Sequence, residues 1–208
     1  MNIQLRGTSG SGKSYCVHYL LNNLPGVRLI KNGKVQGYRL KHPNGGQDIY
    51  VVGSYENICG GLDGIKTQDG ACARIVKYAS RGNVIFEGLL ASNVYQRWID
   101  LSTKINGLIW AFMDTPLDVC LARIEARRKA RNAIEPLNPA NTISKHKAIL
   151  TCAKKVLSTQ ETVIYLNHKN AYLQVFEMLT QGTIDGHVIK TGYRFEEGFK
   201  MASQGVNK

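Results

Sequence analysis

The segment best suited to chemistry is a glycine-rich loop near the start of the chain, which fits the pattern G-x-x-x-x-G-K-[ST]. Glycines let the backbone curl so that successive N–H groups point at phosphate oxygens, and a following helix adds the positive end of its dipole. In this pattern Lys13 reaches the β- and γ-phosphates, and the Ser14 hydroxyl ligates Mg²⁺. The sequence therefore predicts a nucleoside triphosphate site formed by Gly7, Thr8, Ser9, Gly10, Ser11, Gly12, Lys13 and Ser14.

A triphosphate with its metal also needs an acidic side chain, and two carboxylates end apolar, strand-like segments. Glu87 follows residues 83–86, and Asp114 follows residues 108–113. In open α/β sheets, ligands bind at the carboxyl ends of the strands. We therefore place Glu87 in the Mg²⁺ shell, directly or through a water molecule, with Asp114 as the competing candidate.

A phosphotransferase further needs a group that accepts or orients the proton of the acceptor hydroxyl. Asp63 lies in residues 59–64, whose three glycines let the backbone approach a ligand while presenting a single carboxylate. We interpret Asp63 as the general base or the group that orients the acceptor; the alternative is an Asp-Gly turn with a solvated side chain. Asp48 and Asp69 are weaker candidates for the same task.

A basic segment follows Asp114. Arg123 and Arg127 are four positions apart and share a helix face, and guanidinium groups suit phosphate oxygens. A loop with two prolines and a second helix come next, a pattern typical of a lid (about residues 123–145) that closes over ATP. Nine Lys and Arg residues stand against two Glu residues between Arg123 and Lys155. The alternative is a solvated basic helix.

The net charge of +12 and a pI near 9.6 indicate a polyanionic partner, and DNA is the partner we expect. Hydrophobic residues at 43% and charged residues at 20% exclude a disordered or fibrous chain. The apolar runs are too short to span a bilayer, and no signal peptide precedes the loop. Five widely spaced cysteines without a CxxC pair indicate reduced thiols, so we expect a cytoplasmic protein, in the host cytoplasm if a phage encodes it.

Apolar periodicity alternates between strands and helices along the chain, which predicts a three-layer α/β fold with a parallel sheet. Residues 35–40 and 49–52 flank a Pro-Asn-Gly-Gly turn and predict a β-hairpin insertion over about residues 35–52. We predict one domain over residues 1–182 and a C-terminal tail over 183–208. The strands are predicted at 2–6, 27–30, 83–86, 108–113 and 162–166, and the helices at 15–24, 68–80, 94–105, 117–131, 142–157 and 171–179.

The sequence resembles P-loop kinases of the nucleoside and nucleotide kinase group, and more narrowly the bacteriophage kinases that phosphorylate 5-hydroxymethyluracil within DNA. The resemblance covers most of residues 1–131. The middle two of its motifs are specific to the narrower family, whereas the first specifies only a nucleotide site. The motifs are GTSGSGKS at 7–14, GYRLKHP at 37–43, VVGSYENICGGLDG at 51–64, VIFEGLL at 84–90 and DTPLDVCLARIEARR at 114–128.

This resemblance implies transfer of the γ-phosphate of ATP to the hydroxymethyl group of a thymine-like base in duplex or opened DNA, as a step in thymine hypermodification. Extrusion of the base from the stack is one route by which it would reach Asp63. Tyr38, Tyr50 and Tyr55 either stack on such a base or pack in the core. A kinase of free deoxynucleotides, a polynucleotide 5′-hydroxyl kinase and a non-kinase nucleic-acid-binding NTPase stay open as alternatives, as do GTP as donor and the oligomeric state.

Overall fold

The computed structural model describes residues 1–56, 60–92 and 94–189, and its centre is a seven-stranded sheet. From one edge to the other the strands run in the order β2-β3-β4-β5-β1-β6-β7. Their bounds are β1 Asn2–Arg6, β2 Gly26–Lys31, β3 Lys34–Leu40, β4 Ile49–Val52, β5 Asn83–Glu87, β6 Ile109–Asp114 and β7 Thr162–Asn167.

Strand direction decides which residues meet at an edge of this sheet. Strands β4, β5, β1, β6 and β7 are parallel, with Ile3 of β1 opposite Ile85 of β5 and Ile109 of β6. The pairs β2–β3 and β3–β4 are antiparallel. The carboxyl ends of the five parallel strands therefore lie together at one edge, which we call the carboxyl edge; Arg6, Glu87 and Asp114 end three of them.

Helices cover both faces of the sheet, as the three-layer prediction requires. On one face, Leu20 and Val175 pack with Ile3 and Ile85; on the other, Ile75, Trp98 and Val156 pack with Phe86 and Trp110. Neighbouring strand residues such as Ile85 and Phe86 thus serve opposite cores, as the twofold alternation of strands dictates. The helices are α1 Lys13–Asn23, α2 Gln68–Ala79, α3 Leu89–Ser92, α4 Gln96–Lys104, α5 Leu117–Lys129, α6 Ala140–Leu157 and α7 Ala171–Gln181, with a 3₁₀ turn at Leu62–Gly64.

The predicted hairpin of β3 and β4 is present, and it is continuous with the central sheet because β4 pairs with β5. The predicted tail begins with a short hairpin, β8 Thr183–Ile184 and β9 His187–Val188, which the sequence did not indicate. Residues 190–208 of that tail lie outside the described residues. Within the described ranges, none of the helices has the length and apolar character needed to cross a bilayer.

Candidate active site

The glycine-rich loop lies between β1 and α1, at the carboxyl edge, as its motif predicts. Gly10 (φ 79°) and Gly12 (φ 100°) both adopt left-handed backbone conformations that favour glycine. Gly10 also needs to lack a side chain, because a Cβ there would overlap the carbonyl oxygen of Cys120 on α5. The spacing of the motif thus matches two backbone requirements, a left-handed turn and a close approach to the next helix.

Side chains from distant parts of the sequence hold the loop in place. The Thr115 hydroxyl donates to the Ser11 carbonyl (2.9 Å), and the Gly7 amide donates to the Ser92 hydroxyl (3.4 Å). Ser92 in turn donates to the Gly88 carbonyl (2.7 Å), which links the loop to the segment that follows β5. Sequence reasoning missed Ser92 and Thr115; the only signal for Thr115 is that it follows Asp114 at the end of a strand.

Three polar side chains of the loop are placed to bind a phosphate. The Lys13 ammonium donates to the carbonyls of Gly7 (2.8 Å) and Thr8 (3.1 Å), so this cation lies inside the loop. The hydroxyls of Thr8 and Ser11 are buried without a hydrogen-bond partner among the described residues. Buried hydroxyls are costly unless paired, and phosphate oxygens would pair them. The residues present therefore fit a triphosphate.

The structure brings Glu87 to Ser14. The Ser14 hydroxyl donates to Glu87 Oε1 (2.8 Å), and Glu87 is only 3% exposed. Burial raises the pKa of the Glu87 carboxyl, while nearby Lys13 and the bond from Ser14 oppose that rise. Asp114, the competing candidate, is half-buried at the end of β6, on the other side of β1. Its backbone carbonyl lies 2.8 Å from His168 Nδ1, and burial raises the pKa of its carboxyl.

Paired oxygen ligands of this kind suit Mg²⁺, which binds proteins through one or two side-chain oxygens and completes its shell with phosphates and water. A self-sufficient cluster of three or more His, Cys, Asp or Glu side chains does not occur in the described ranges. The donor set of Ser14 and Glu87 therefore fits a metal that arrives with a nucleotide.

Asp63 lies beside Glu87. It is exposed on the 3₁₀ turn, and a Cβ added at Gly88 would come within 3.1 Å of its Oδ1. Its charge contributes to the raised pKa of the Glu87 carboxyl. Gly61 (φ 77°) makes this approach possible, because a side chain there would overlap the Glu87 carbonyl. Cys59, at the start of the predicted glycine segment, lies outside the described residues.

The two weaker acceptor candidates are placed differently. Asp48 precedes β4 at the amino end of the parallel strands, where its carboxylate pairs with Arg39 (3.5 Å) and Lys41 (3.3 Å). That position removes Asp48 from the acceptor side, because it is at the opposite edge from Glu87. Asp69 lies in the first turn of α2 and forms an ion pair with Arg97 of α4.

Tyr55 is a further residue at this centre. Its ring is buried (5% exposed), and a Cβ built on Gly61 would be 3.0 Å from its hydroxyl and 3.2 Å from Glu87 Oε1. Burial, followed by the charge of Glu87, raises the pKa of the Tyr55 hydroxyl well above its usual value. The sequence left two roles for Tyr55, stacking on a base or packing in the core. Its ring packs in the core, while its hydroxyl faces the candidate metal site.

Helix α5 starts beside the loop. Arg123 is exposed and lies three residues after Cys120, the residue that contacts Gly10; it donates from Nη1 to the Gly10 carbonyl (3.2 Å). Arg127 follows one turn later and is half-buried. Residues 130–139 then connect α5 to α6. The predicted arginine face therefore begins directly at the phosphate loop.

Arg6, the last residue of β1, is a buried cation beneath the loop that sequence reasoning did not single out. Its guanidinium donates to Gln4 Oε1 (2.9 Å) and to the carbonyls of Ser92 (3.1 Å) and Val94 (2.9 Å). It also lies over the Trp110 ring at 4.1 Å. Burial lowers the pKa of Arg6 to about 10. This side chain ties the end of β1 to the segment that supplies Ser92.

Comparison with known proteins identifies the family of this chain. A family model described as "5-hmdU DNA kinase" matches residues 3–163. A 5-hmdU DNA kinase of Pseudomonas phage PaMx11 is 31% identical over 182 residues, covering 85% of this chain and 96% of that protein. The 5-hmdU DNA kinase of Pseudomonas phage M6 is 35% identical over 174 residues, covering 77% of this chain and 88% of that protein. The chain belongs to the 5-hmdU DNA kinase family, and it is accordingly a phosphotransferase.

Proposed function

We propose that this chain transfers the γ-phosphate of ATP to the hydroxymethyl group of 5-hydroxymethyluracil in DNA. The observation that carries the proposal is the meeting of the Lys13–Ser14 end of the loop with Glu87 and Asp63 at one edge of the sheet. This arrangement puts a phosphate cradle next to an exposed carboxylate. The family name, 5-hmdU DNA kinase, supports 5-hydroxymethyluracil in DNA as the acceptor next to this carboxylate.

On the donor side, the backbone N–H groups of residues 7–14 and the hydroxyls of Thr8 and Ser11 bind the phosphates. Lys13 exchanges its bonds to the Gly7 and Thr8 carbonyls for the β- and γ-phosphate oxygens. Ser14 and Glu87 would hold Mg²⁺, which when bound neutralises phosphate charge and fixes the geometry of transfer.

On the acceptor side, Asp63 accepts the proton of the hydroxymethyl O–H as that oxygen bonds to the γ-phosphorus. The bond from the γ-phosphorus to the bridging oxygen breaks, and ADP leaves with that electron pair. The products are a phosphomonoester on the base and ADP. In a duplex the C5 substituent faces the major groove, and extrusion of the base from the stack would bring its hydroxyl to the carboxylate.

Arg123 and Arg127 stabilise the charge that spreads over the transferred phosphoryl group, as mobile cations do in kinases. Arg123 already contacts the loop at the Gly10 carbonyl, and Arg127 continues the same helix face. Residues 123–145 then act as a lid over ATP. Closure of this lid brings the guanidinium groups to the phosphates and excludes water.

The direct test is incubation with γ-labelled ATP and three acceptors: hydroxymethyluracil DNA, unmodified DNA with free 5′ ends, and dTMP. We expect label only in the first, on the base. Label on 5′ ends or on dTMP would contradict the proposal and identify a polynucleotide or nucleotide kinase. Lys13→Ala should abolish transfer while leaving the fold intact, and normal turnover in that variant would exclude residues 7–14 as the ATP site.

The role of Asp63 is tested by Asp63→Asn, which keeps the shape of the side chain and removes its basicity. General-base contributions are typically 10²–10⁴-fold, and a loose phosphoryl-transfer transition state places the expected loss near the low end, about 100-fold in single-turnover rate. The KM for ATP should not change. Asp69→Asn is the matched control, because Asp69 faces Arg97 instead of Glu87. A rate for Asp63→Asn within about twofold of wild type would exclude Asp63 from the mechanism.

A further inference from the structure

Strands β2 and β3 form a two-stranded ribbon that projects from the carboxyl edge. Gly37 of β3 pairs with Val52, the last residue of β4, so residues 34–36 of β3 and the end of β2 extend beyond β4. At about 3.3 Å per residue this overhang is roughly 10 Å long. Because β4 is parallel to β5 and β1, the ribbon projects on the same side of the sheet as the phosphate loop and Glu87.

The ribbon is strongly basic. Residues 26–40 contain four Lys and Arg residues and no Asp or Glu. On the ribbon, Arg28, Lys31 and Lys34 are exposed, and Lys31 and Lys34 face each other across the tip. The tip residues Asn32 (φ 51°) and Gly33 (φ 69°) both have positive φ, as a type I′ hairpin turn requires.

The tip lysines differ from the other cations of the same strands. In the described part of the chain, no carboxylate forms an ion pair with Lys31 or Lys34. Arg39 and Lys41, at the opposite end of β3, instead share the carboxylate of Asp48. The positive charge at the tip is therefore available to an external anion, while the charge at the far end is partly neutralised within the protein, by one carboxylate for two cations.

The ribbon is held firmly at its base. Arg74 of α2 donates from Nη1 to the Gln36 carbonyl (3.1 Å) and from Nη2 to the Gln36 side chain. Leu29 of β2 packs against the core on the α2 face of the sheet. The base of the ribbon is therefore anchored to α2 and to the core beneath the sheet.

A cleft lies beside the ribbon, and one of its lining residues, Tyr55, is a neighbour of Glu87. It measures about 440 Å³, lies between the ribbon and α1, and is lined by His18, Tyr38 and Tyr55 among others. A volume of this order accommodates a nucleotide-sized ligand. The rings of His18 and Tyr55 meet edge to face at 5.7 Å, and the hydroxyl of Tyr55 faces Glu87. The cleft thus extends from the base of the ribbon to the residue next to the metal site.

We propose that the tip of this ribbon, through Lys31 and Lys34, binds phosphates of the DNA duplex that flanks the target base. The inference rests on the proposed function, since it takes DNA as the acceptor. Two-stranded ribbons fit the grooves and backbone of B-DNA, and lysines bind its phosphates by releasing counterions. A second copy of the chain pairing along β2 is the alternative occupant, and the exposed charged side chains of this edge strand disfavour it.

The test measures binding separately from catalysis. Lys31→Gln/Lys34→Gln removes both cations, and the affinity for a hydroxymethyluracil duplex is measured by fluorescence anisotropy across a salt series. Two lost phosphate contacts should reduce the slope of log affinity against log salt by about 1.8, which corresponds to roughly 60-fold weaker binding at 0.1 M salt. Lys31→Arg/Lys34→Arg should retain both affinity and slope.

The matched control is Lys77→Gln/Lys104→Gln. Both lysines are exposed; Lys77 lies in the last turn of α2, and Lys104 is the last residue of α4. These helices lead into β5 and β6 at the opposite edge of the sheet. The same charge change there should leave the slope unchanged. An unchanged slope in the ribbon variant, or equal losses in the control variant, would overturn the proposal. A wild-type dimer that dissociates in the ribbon variant, with unchanged DNA affinity, would also overturn it and assign the strand to self-association.

These outcomes differ from a failure of the proposed function. If hydroxymethyluracil DNA accepts no phosphate, the proposed function is wrong, yet the salt slopes still decide whether the ribbon binds DNA. If transfer proceeds and the ribbon variant retains the wild-type slope and the wild-type KM for DNA, only the ribbon proposal is wrong.

Discussion

Replacing Glu87 with Gln separates the metal-binding role of this residue from its part in the fold. The substitution keeps the shape of the side chain and the acceptor oxygen that receives the Ser14 hydroxyl at 2.8 Å. It removes the negative charge from a site that is 3% exposed. A hydrogen bond to a charged group contributes about 1.5–3 kcal/mol; with that as the scale for the lost contact to the metal, the Mg²⁺ concentration for half-maximal turnover should rise by about 10- to 150-fold.

The same substitution should stabilise the unliganded protein at neutral pH. Burial raises the pKa of the Glu87 carboxyl, so the folded chain holds that proton more tightly than the unfolded chain does. The corresponding stability is present below the unfolded pKa and is lost as pH rises through the folded pKa. The Gln side chain does not titrate. The gain in free energy of unfolding of Glu87→Gln over the wild type should therefore be small in acid and grow towards neutral pH.

The assay is a Mg²⁺ titration of turnover, paired with urea unfolding at several pH values in the absence of nucleotide. Asp114→Asn is the matched control, because this other strand-ending carboxylate lies on the far side of β1. Its Mg²⁺ requirement should stay close to that of the wild type. A Glu87→Gln protein with an unchanged Mg²⁺ requirement, or a larger shift in Asp114→Asn, would refute the assignment of Glu87 to the metal.

Two further predictions concern the supports of the loop. Thr115→Val leaves the Ser11 carbonyl unpaired without changing side-chain volume, so urea unfolding should show a loss of about 1–3 kcal/mol and kinetics a raised KM for ATP; Thr115→Ser should retain the wild-type KM. Arg6→Lys keeps a buried charge but cannot reproduce the fork that holds Ser92 and Val94, so thermal unfolding should report a loss of about 3 kcal/mol. Wild-type stability of Thr115→Val, or of Arg6→Lys, would contradict the supporting role assigned to that residue.

The parts of the site that are local in sequence were predictable. The loop at residues 7–14 was recognised because its chemistry needs adjacent residues, and Glu87 because an apolar strand ends there. The pairing of Glu87 with Ser14 followed from the expectation that strand ends meet at one edge.

The parts that depend on strand order and direction were not predictable. Thr115 reaches Ser11 across 104 positions in the sequence, and Ser92 reaches Gly7 across 85, only because β6 and β5 flank β1. Asp48 was a weaker candidate for the acceptor side, but the direction of β4 places it at the opposite edge of the sheet. Periodicity specifies which residues form a strand but not which neighbour it pairs with.

The strand order also sets a length scale for the substrate. Neighbouring strands lie about 4.8 Å apart, so β2, four strands from β1, is roughly 19 Å from the phosphate loop. A duplex rises about 3.4 Å per base pair, and this distance corresponds to about five or six steps. If the duplex lies along the sheet with its phosphates on the ribbon, as proposed, a target base closer than that to the end of its duplex would still offer its hydroxyl but would place no phosphate at the ribbon tip.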